Sequence, residues 1–410
     1  MSILNRPTLV NQRASVRHRT SYVKTEEWEM RVLFTVPPAL SHLFPLVPLA
    51  WALRAAGHEL LVATSSSAVP AAVSAGLPAV DVAPTVDFDE VFGVGKGTVG
   101  DRVAEHRRRG EAIAQAGGAA TDAVLERFAH VTDLMADGVV RAAEEMRPDL
   151  VVHGRLQGAG LLVARKLQVP AVEHGVGFVR EGDLAERYLP HLAGVFARHG
   201  VPAELPARTS VQIAPPELMI GEGEAWNVRF VPYSGGGVLP TWVTKSRSRP
   251  RIVVTLGTVL PKVVGVGGLE KVLKGAASTD AEFVVIGADA QALGDVAPNV
   301  RTADWCPLAG LLQYSDAIIH HGGAGSTLTS IDAGLPQLAL PYGADEFVNA
   351  GVIVRHGFGL SADANTVDDE LISRLMTNST LRESAGRARR QMRCRPAPAQ
   401  LVGALTALAG

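Results

Sequence analysis

Apolar residues along the chain occur in short runs that alternate with segments of helical periodicity. Buried-strand runs begin near residues 31, 59, 79, 147 and 169 in the first half, and near 251, 283, 316 and 337 in the second. Segments with helical spacing separate them, for example 44–56, 119–146 and 157–167. Strands and helices that alternate at these lengths are typical of parallel β-α-β units. The pattern therefore predicts an α/β protein that binds ligands at the carboxyl ends of its strands.

The same succession of elements occurs twice, before and after a stretch rich in proline and glycine. A chain of 410 residues is long for a single hydrophobic core. We therefore expect two doubly wound, Rossmann-like domains that face each other across a cleft, one over 30–230 and one over 249–396. Residues 231–248 include V-P-Y-S-G-G-G-V-L-P and are predicted to form the linker. The segments 84–118 and 182–248 lack clear periodicity and are expected to be largely irregular, apart from the charge run at 105–109, which is predicted to be a solvated helical face.

Residues 1–29 are polar and follow neither period, so we expect a disordered N-terminal extension. A docking arm for a helper protein is the alternative for this segment, whereas a signal peptide would need an apolar region that is absent here. The composition, 47% hydrophobic with a net charge of −2, offers no basic surface for nucleic acid. No apolar run is long enough to span a membrane, and the two cysteines provide neither a disulfide framework nor a zinc site, so a cytoplasmic location is expected.

One junction between a strand and a helix carries the strongest chemical signal. The sequence I-I-H-H-G-G-A-G-S-T at 318–327 places two histidines and two glycines between an apolar strand and the start of a helix. Gly322 and Gly323 allow a ligand to approach the backbone closely, and the free N–H groups of the first helical turn attract an anion, most often a phosphate. A histidine there can donate a hydrogen bond to a leaving diphosphate. Strand alternation favours a structural role for His320 and leaves the functional role to His321.

Three sequence blocks give this region a resemblance to a known family. H-H-G-G-A-G-S-T at 320–327 is followed by A-G-L-P-Q-L-A-L-P at 333–341 and by A-D-E-F-V-N-A at 344–350. Together they resemble the donor-binding signature of GT-B nucleotide-sugar glycosyltransferases. Within that fold they are most similar to the actinobacterial enzymes that attach deoxysugars to polyketides, macrolides and enediynes, such as the calicheamicin glycosyltransferases. The resemblance extends from about residue 30 to the C-terminus, and it implies that a final helix within 397–410 crosses back to the N-terminal domain.

The resemblance also implies a nucleotide-sugar site in the second half of the chain. The residues that would bind the nucleotide and its diphosphate are Gly257, Thr258, Trp305, Cys306, His321, Gly322, Gly323, Gly325, Ser326 and Thr327. In such enzymes the tryptophan stacks on the base, while glycine turns and hydroxyl groups bind the diphosphate. Asp345 and Glu346 match an acidic pair that holds sugar hydroxyls, although two solvated acids at a helix start are the alternative. Leu308 stands where relatives that use uridine diphosphate sugars carry glutamine, which favours a thymidine diphosphate (TDP) sugar.

The first loop supplies the catalytic base that the resemblance implies. His42, in S-H-L-F-P just past the first strand, matches the general base that removes the acceptor hydroxyl proton. An unperturbed imidazole pKa of about 6.5 suits that role. The acidic partner expected after the strand at 149–153 is missing, because Arg155 follows that strand instead. Glu173 is the candidate substitute, and an acidic, phenol-like acceptor hydroxyl that needs little help is the alternative.

Acceptor contacts and cofactors are the least specified part of the predicted site. The candidate acceptor contacts lie in or just after an irregular stretch and are Phe88, Phe92 and Phe128. Asp87 and Asp89 form a D-x-D pair, the metal signature of the other glycosyltransferase fold, but they lie in the wrong half of the chain. We therefore expect neither a metal nor a cofactor, since the helix N-terminus and His321 can hold the charge of the diphosphate.

These patterns predict an inverting glycosyltransferase of antibiotic biosynthesis. It would move a deoxysugar from a TDP-sugar to a hydroxyl of a hydrophobic natural-product aglycone, an enediyne or an aromatic polyketide. Its partners would be the TDP-deoxysugar and the small-molecule acceptor, and its oligomeric state stays open, a homodimer included. Two alternatives remain. One is a GT-B nucleotide-sugar epimerase, and the other is a non-catalytic helper protein, which would have no need of His42, Thr258 and His321 together.

Overall fold

The computed structural model describes residues 29–94, 97–261, 265, 267–288, 290–303 and 305–410. The predicted disordered extension at 1–29, with its alternative role as a docking arm, lies outside the described residues except for Glu29. Over the described part of the chain, the strands form two parallel sheets with helices packed on both faces of each. The doubly wound α/β architecture predicted from the sequence is confirmed.

The first sheet is built around the strand nearest the N-terminus. Its described strands are β1 Arg31–Thr35, β2 Glu59–Thr64, β3 Ala79–Asp81, β4 Leu150–Gly154, β5 Ala171–His174, β6 Arg208–Gln212 and β7 Trp226–Asn227. They pair in parallel in the order β3-β2-β1-β4-β5-β6-β7. The strand order reverses between β1 and β4, and such a switch point opens a crevice at the carboxyl ends of the strands. His42, on the short helix that follows β1, and Arg155, directly after β4, come after the carboxyl ends of these two strands.

Helices cover the two faces of the first sheet. Their described bounds are α1 Leu40–Leu43, α2 Val47–Ala55, α3 Ala68–Ser74, α4 Phe88–Val91, α5 Val99–Gln115, α6 Asp122–Met146, α7 Gly158–Leu167 and α8 Leu184–Arg198, with 3-10 turns at Phe44–Leu46 and Pro216–Leu218. Alternate β1 side chains enter different cores, because successive residues of a strand point to opposite faces. Val32 and Phe34 pack in the same core as α2, and Leu33 packs in the same core as α6 and α7.

Three of these helices, α4, α5 and α8, occupy segments for which the sequence predicted largely irregular structure. α5 has no apolar stripe to recognise, since Gly110 is its one buried residue among those described. Its start is instead fixed by a capping box, in which the Asp101 N–H donates to Thr98 Oγ1 and the Thr98 N–H donates to Asp101 Oδ2, both at 3.2 Å. α8 carries Pro190 within the helix, and a proline inside an apolar pattern normally indicates the end of a helix, so no helix was predicted here.

The second sheet repeats the arrangement with the same kind of switch point. Its described strands are β8 Arg251–Thr255, β9 Glu282–Ile286, β10 Val300–Ala303, β11 Ala317–His320, β12 Gln337–Ala339 and β13 Gly359–Ser361, in the order β10-β9-β8-β11-β12-β13. The described helices are α9 Glu270–Ala277, α10 Ala290–Leu293, α11 Leu308–Leu312, α12 Ala324–Ala333, α13 Glu346–Arg355, α14 Asp369–Thr377 and α15 Ser379–Arg393, with 3-10 turns at Gly267–Leu269 and Ala364–Thr366. The switch point lies between β8 and β11, so the loops after these two strands face one another.

The last helix of the chain, α16 Pro398–Ala409, packs on the first domain. Its residues Leu401 and Leu405 are buried in the same core as α2. Beside the crossing, the Arg229 N–H donates to the Pro396 carbonyl at 2.8 Å, so the two segments that pass between the domains are bonded to each other. Among the described residues, no helix combines the length and the apolar character that a membrane crossing requires.

Candidate active site

The turn between β11 and α12 presents an open helix N-terminus. Gly322 has a φ of +90°, in the left-handed region that glycine adopts without strain. The first N–H to bond back along the helix is that of Thr327, which donates to the Gly323 carbonyl at 3.0 Å, so the N–H groups of 324–326 have no such partner in α12. A Cβ built on Gly325 would meet nothing within 4 Å among the described atoms. The first turn of α12 therefore faces open space, with donors that suit an anion.

Two hydroxyl residues of this turn differ in what they can offer. The Thr327 hydroxyl donates to the Gly323 carbonyl at 3.0 Å, and the whole residue is buried. The Thr327 side chain is therefore engaged with the helix backbone, and its contact with the nucleotide stays a prediction. Ser326 is partly exposed in the first turn and stays a candidate phosphate ligand.

His320 is a structural residue of the strand end. Its Nε2 lies 2.9 Å from Gln337 Oε1, and its Nδ1 accepts the Gly322 N–H at 3.0 Å. Burial, and then the neighbouring His321, lower its pKa to about 3, which keeps the imidazole neutral and able to accept that bond. The structural interpretation of His320 is confirmed, and the residue fixes the glycine turn from below.

The His321 ring lies between two glycines. A Cβ built on Gly257 would lie 2.5 Å from His321 Cε1, and one built on Gly323 would lie 2.3 Å from His321 Nε2. Both positions must lack a side chain for the ring to lie there, and Gly257 also has a φ of +71°. His321 Nδ1 is buried and has no hydrogen-bond partner within the described chain. The His321 ring is thus held between Gly257 and Gly323, and its Nδ1 is free to bond to a ligand as far as the described residues are concerned.

The loops after β8 and β10 complete the donor side. The Gly257 N–H donates to Thr255 Oγ1 at 3.0 Å, which shapes the loop that carries the partly exposed Thr258. Trp305 is 46% exposed, so part of its ring is open to contact with a ligand. Cys306 is buried in the core, and burial raises the pKa of its thiol, so only its backbone groups can take part in recognition.

Trp305 rests on the glycine run at 235–237 of the predicted linker. A Cβ on Gly235 would lie 3.1 Å from Trp305 Cζ2, and one on Gly237 would lie 3.5 Å from Trp305 Cδ1. The Leu308 N–H donates to Ser234 Oγ at 3.2 Å. The glycine run of the linker therefore supports the exposed indole. A tryptophan and a triple glycine far apart in sequence gave no sign of this contact.

The acidic pair has two different roles. Glu346 is 6% exposed, and its Oε2 accepts the N–H groups of Tyr342 and Gly343 at 2.7 and 2.9 Å. Through Oε2 this carboxylate shapes the turn before α13, and its contact with sugar hydroxyls stays a prediction. Asp345 accepts a hydrogen bond from Asn349 Nδ2 at 2.9 Å, and burial raises its pKa. Asp345 keeps acceptor capacity for a ligand and is a sugar-binding candidate.

His42 lies on α1, directly after β1, beside two aromatic rings. Its ring centroid is 5.8 Å from that of Phe128, which in turn is 6.3 Å from that of Phe92. Phe88 is 2% exposed and packs in the core, so it is not part of this row, and its role as an acceptor contact stays a prediction. Burial, and then the charge of Arg155, lower the pKa of His42 to about 4, well below the ordinary value assumed from the sequence. His42 is therefore neutral at physiological pH.

Glu173 does not orient His42 in this structure. Among the hydrogen bonds of the described residues, none joins the two side chains, and His42 Nδ1 is buried without a partner there. Burial raises the pKa of Glu173, whereas Arg155 and then Arg208 lower it. Arg155 is thus the charged group next to both residues, and it donates to the Val179 carbonyl at 3.1 Å while pairing with Glu181. The proposed His42–Glu173 dyad is not formed.

Comparison with known proteins identifies the family. Sequence profiles of erythromycin biosynthesis protein CIII-like proteins match this chain in both halves, the N-terminal domain over residues 51–257 and the C-terminal domain over 270–408. The chain belongs to this CIII-like family. The elloramycin glycosyltransferase ElmGT of Streptomyces olivaceus is 37% identical over 381 residues, which covers 92% of this chain and 97% of that protein.

Solved structures agree with this assignment. The glycosyltransferase SnogD of Streptomyces nogalater is 38% identical, with a TM-score of 0.81 over 93% of this chain and 100% of that one. The glycosyltransferase VinC in complex with DTDP is 27% identical, with a TM-score of 0.76 over 93% of this chain and 99% of that one. The CIII-like chain therefore has the GT-B fold that the sequence predicted, and it is a glycosyltransferase.

In this CIII-like glycosyltransferase, the first domain touches the donor loops at positions that lack side chains. A Cβ on Gly110 of α5 would lie 2.6 Å from the Gly343 backbone, and one on Gly177 would lie 3.1 Å from Ala324 at the start of α12. Arg107 of α5 also pairs with Asp363 at 2.9 Å. The helix that the sequence pattern missed is thus the element of the first domain that lies on the turn before α13.

The D-x-D pair is part of the fold rather than of the site. Asp87 caps α4 by accepting the Glu90 N–H at 3.1 Å. Among the described residues of the CIII-like chain, no group of three or more His, Cys, Asp or Glu side chains is arranged to hold a metal ion. The groups that can meet a diphosphate here are the α12 N-terminus, His321 and the loop hydroxyls.

Proposed function

We propose that this glycosyltransferase transfers a deoxysugar from a TDP-sugar to a hydroxyl of a hydrophobic polyketide or enediyne aglycone, with inversion, in antibiotic biosynthesis. ElmGT is an elloramycin glycosyltransferase, and VinC has been solved in complex with DTDP, which together support an antibiotic acceptor and a thymidine nucleotide. The observation that carries the proposal is the His321 ring, held between Gly257 and Gly323 at an open helix N-terminus.

On the donor side, the diphosphate lies at the first turn of α12. The free N–H groups of 324–326 and the His321 ring donate to its oxygens, and their interaction strengthens as charge develops on the leaving group. The exposed face of Trp305 stacks on the base, and Asp345 accepts hydrogen bonds from the sugar. No metal or other cofactor takes part in this scheme, because protein donors supply the stabilisation.

On the acceptor side, neutral His42 takes the proton of the acceptor hydroxyl as its oxygen attacks the anomeric carbon. The bond from that carbon to the diphosphate oxygen breaks on the opposite face, so the configuration at the anomeric carbon inverts. Phe128 lies beside His42 and Phe92 lies beside Phe128, and this row provides an apolar surface for the aglycone. In this scheme the second domain binds the donor, and the first domain binds the acceptor and supplies the base.

The test is calorimetric titration of TDP and of uridine diphosphate into the wild type and His321→Ala. We expect TDP to bind more tightly than uridine diphosphate, and its affinity to fall by about 1.5–3 kcal/mol in the variant, the usual worth of a charged hydrogen bond. His356→Ala is the matched control, since His356 follows α13 in the same domain and stacks on Phe358 with centroids 6.4 Å apart.

The outcomes separate the alternatives. If neither nucleotide binds, the donor site is refuted and a non-catalytic helper protein becomes the better interpretation. If both bind equally, the preference for thymidine is wrong while the diphosphate site stands. If a bound nucleotide sugar is isomerised and no acceptor is glycosylated, the protein is an epimerase.

A further inference from the structure

We propose that Asn349 is a positioning residue that links the two halves of the donor site. Its amide group holds both the glycine turn that meets the diphosphate and the carboxylate that meets the sugar. Asn349 lies on α13, one helical turn after Asp345. The inference rests on the proposed glycosyl transfer, since it concerns how the nucleotide sugar of that reaction is bound.

The side-chain nitrogen of Asn349 donates two hydrogen bonds. Asn349 Nδ2 lies 2.9 Å from the Gly322 carbonyl oxygen and 2.9 Å from Asp345 Oδ2. A carbonyl and a carboxylate oxygen both accept, so the nitrogen of the amide must face them, and its two hydrogens are both used. One planar group thus fixes the turn and the carboxylate relative to each other.

Burial makes this arrangement hard to replace. Asn349 is 1% exposed, and Gly322 is buried as well. If the amide were removed, water could not readily take its place, and a buried oxygen that loses its donor bears the cost of its own desolvation. The Gly322 carbonyl and the Asp345 carboxylate would then move to find other partners. The Asn349 amide therefore determines where both groups lie.

The Gly322 peptide group is also held from its other side. Its N–H donates to His320 Nδ1 at 3.0 Å, and His320 Nε2 lies 2.9 Å from Gln337 Oε1. Gln337 Nε2 in turn donates to the Thr327 carbonyl at 3.3 Å. A continuous path of hydrogen bonds therefore leads from the first turns of α12, through the glycine turn, to Asn349 on α13.

The carboxylate that Asn349 holds lies beside the phosphate turn and at the boundary between the domains. Asp345 is half-buried, and a Cβ built on Gly177 of the first domain would lie 3.9 Å from its Oδ2. The same Cβ would lie 3.1 Å from the Ala324 side chain at the start of α12. The donor sugar is attached directly to the distal phosphate, so a carboxylate next to this turn is within reach of sugar hydroxyls.

The rival explanation is that Asn349 only stabilises the fold of the second domain. Asn299 serves as the model for such a role, since its Nδ2 donates to the carbonyls of Ala276, Thr279 and Ala281 at 2.8, 3.2 and 2.9 Å. Asn299 lies just before β10, at the edge of the sheet opposite to the carboxyl ends of the strands. Asn299→Leu is therefore the matched control for Asn349→Leu.

The test compares TDP with two nucleotide sugars, TDP-glucose and the 6-deoxysugar donor TDP-rhamnose, by calorimetric titration. Asp345→Ala should weaken the binding of at least one nucleotide sugar and should not weaken that of TDP, because it removes a contact with the sugar alone. Asn349→Leu should weaken TDP by about 2- to 10-fold through the lost support of the turn. It should weaken the same nucleotide sugar by about 10-fold or more beyond that, because the carboxylate is misplaced.

This selective loss, the weakening of a nucleotide sugar beyond that of TDP, is a quantity that a merely structural role would not change. If Asn349 acts on the sugar through Asp345, the double variant should show no greater selective loss than Asp345→Ala alone. Asn349→Asp keeps the shape of the side chain, but its ionised carboxylate cannot donate, so it should show the same selective loss. Asn299→Leu should lower the free energy of unfolding and produce no selective loss.

The inference is overturned if the Asn349 variants weaken TDP and both nucleotide sugars by the same factor, or if the selective losses from Asn349 and Asp345 add. It is also overturned if Asn299→Leu shows the selective loss, if the wild type or Asp345→Ala shows no recognition of either sugar, or if neither Asn349 variant folds. In all these cases, binding of TDP by the wild type leaves the proposed function standing. Absence of TDP binding by the wild type would refute the donor site itself.

Discussion

A single methyl group at Gly323 should disable the donor site without disturbing the fold. An ideal Cβ there lies 2.3 Å from His321 Nε2, 3.0 Å from Cε1 and 3.2 Å from Cδ2. Ordinary contacts begin at 3.4 Å, so Nε2 must move by about 1.1 Å. The ring cannot move towards Gly257, because it already lies against that backbone. We therefore expect Gly323→Ala to swing the imidazole out of its place at the turn.

The cost can be estimated because the backbone itself is not strained. Gly323 has φ −60° and ψ 143°, which alanine adopts readily. What is lost is then the hydrogen bond from His321 to the diphosphate, worth about 1.5–3 kcal/mol. TDP affinity should fall by about 10- to 150-fold, and thermal unfolding should change little. Gly351→Ala in α13 is the control, since its Cβ would meet nothing within 4 Å among the described atoms.

A double-mutant cycle makes the reasoning refutable. If the methyl group acts through the ring, Gly323→Ala should add no further loss of TDP binding to His321→Ala, since the interaction is already gone. The assay is calorimetry with TDP on the wild type, both single variants and the double variant. The reasoning is refuted if the two losses of TDP affinity are additive. It is also refuted if Gly323→Ala binds TDP within twofold of the wild type, because the absence of a side chain at Gly323 would then not be required for the position of the His321 ring.

Two other predictions follow from the acceptor domain. The pKa of His42 is lowered to about 4, and its neutral form is the base. We therefore expect kcat/KM to stay constant as the pH falls to about 5 and to decline only near pH 4. A decline already near pH 6.5 would contradict the burial and charge assigned to His42. Gly110→Ala would place a Cβ 2.6 Å from the Gly343 backbone, so it should cost about 1–3 kcal/mol of stability in urea unfolding and raise the donor KM in steady-state assays. Gly100→Ala on the same helix is the control, because its Cβ would lie 3.8 Å from Thr98 Oγ1, and it should change neither quantity.

The sheets could be predicted because parallel strands are buried on both faces and appear as continuous apolar runs. Leu33 and Phe34 enter different cores, so neither position could be polar. Apolar periodicity does not predict α5, because nearly all of its surface is polar. The capping box at Thr98 is the feature of the sequence that indicates where this helix begins. Its contact with Gly343 depends on how the two domains meet, which no local pattern contains.

The parts of the site that depend on backbone geometry could be predicted from the sequence. The roles that depend on which groups a side chain contacts in the folded protein could not. The two adjacent glycines at 322 and 323, placed before a helix, are enough to indicate a turn and an anion-binding site. The adjacent acids Asp345 and Glu346 look equivalent in sequence, yet only Glu346 meets two backbone N–H groups. Likewise Arg155 was visible as a departure from the expected acid, but its effect on His42 arises only because β1 and β4 are neighbours in the sheet.

The chain passes between the domains twice, and the two passages lie side by side. Arg229 donates to the Pro396 carbonyl at 2.8 Å, and Arg395 pairs with Glu217, so both passages are joined near one point on the first domain. A rotation of one domain relative to the other that kept both of these bonds would therefore need its axis near this point, where the two passages meet.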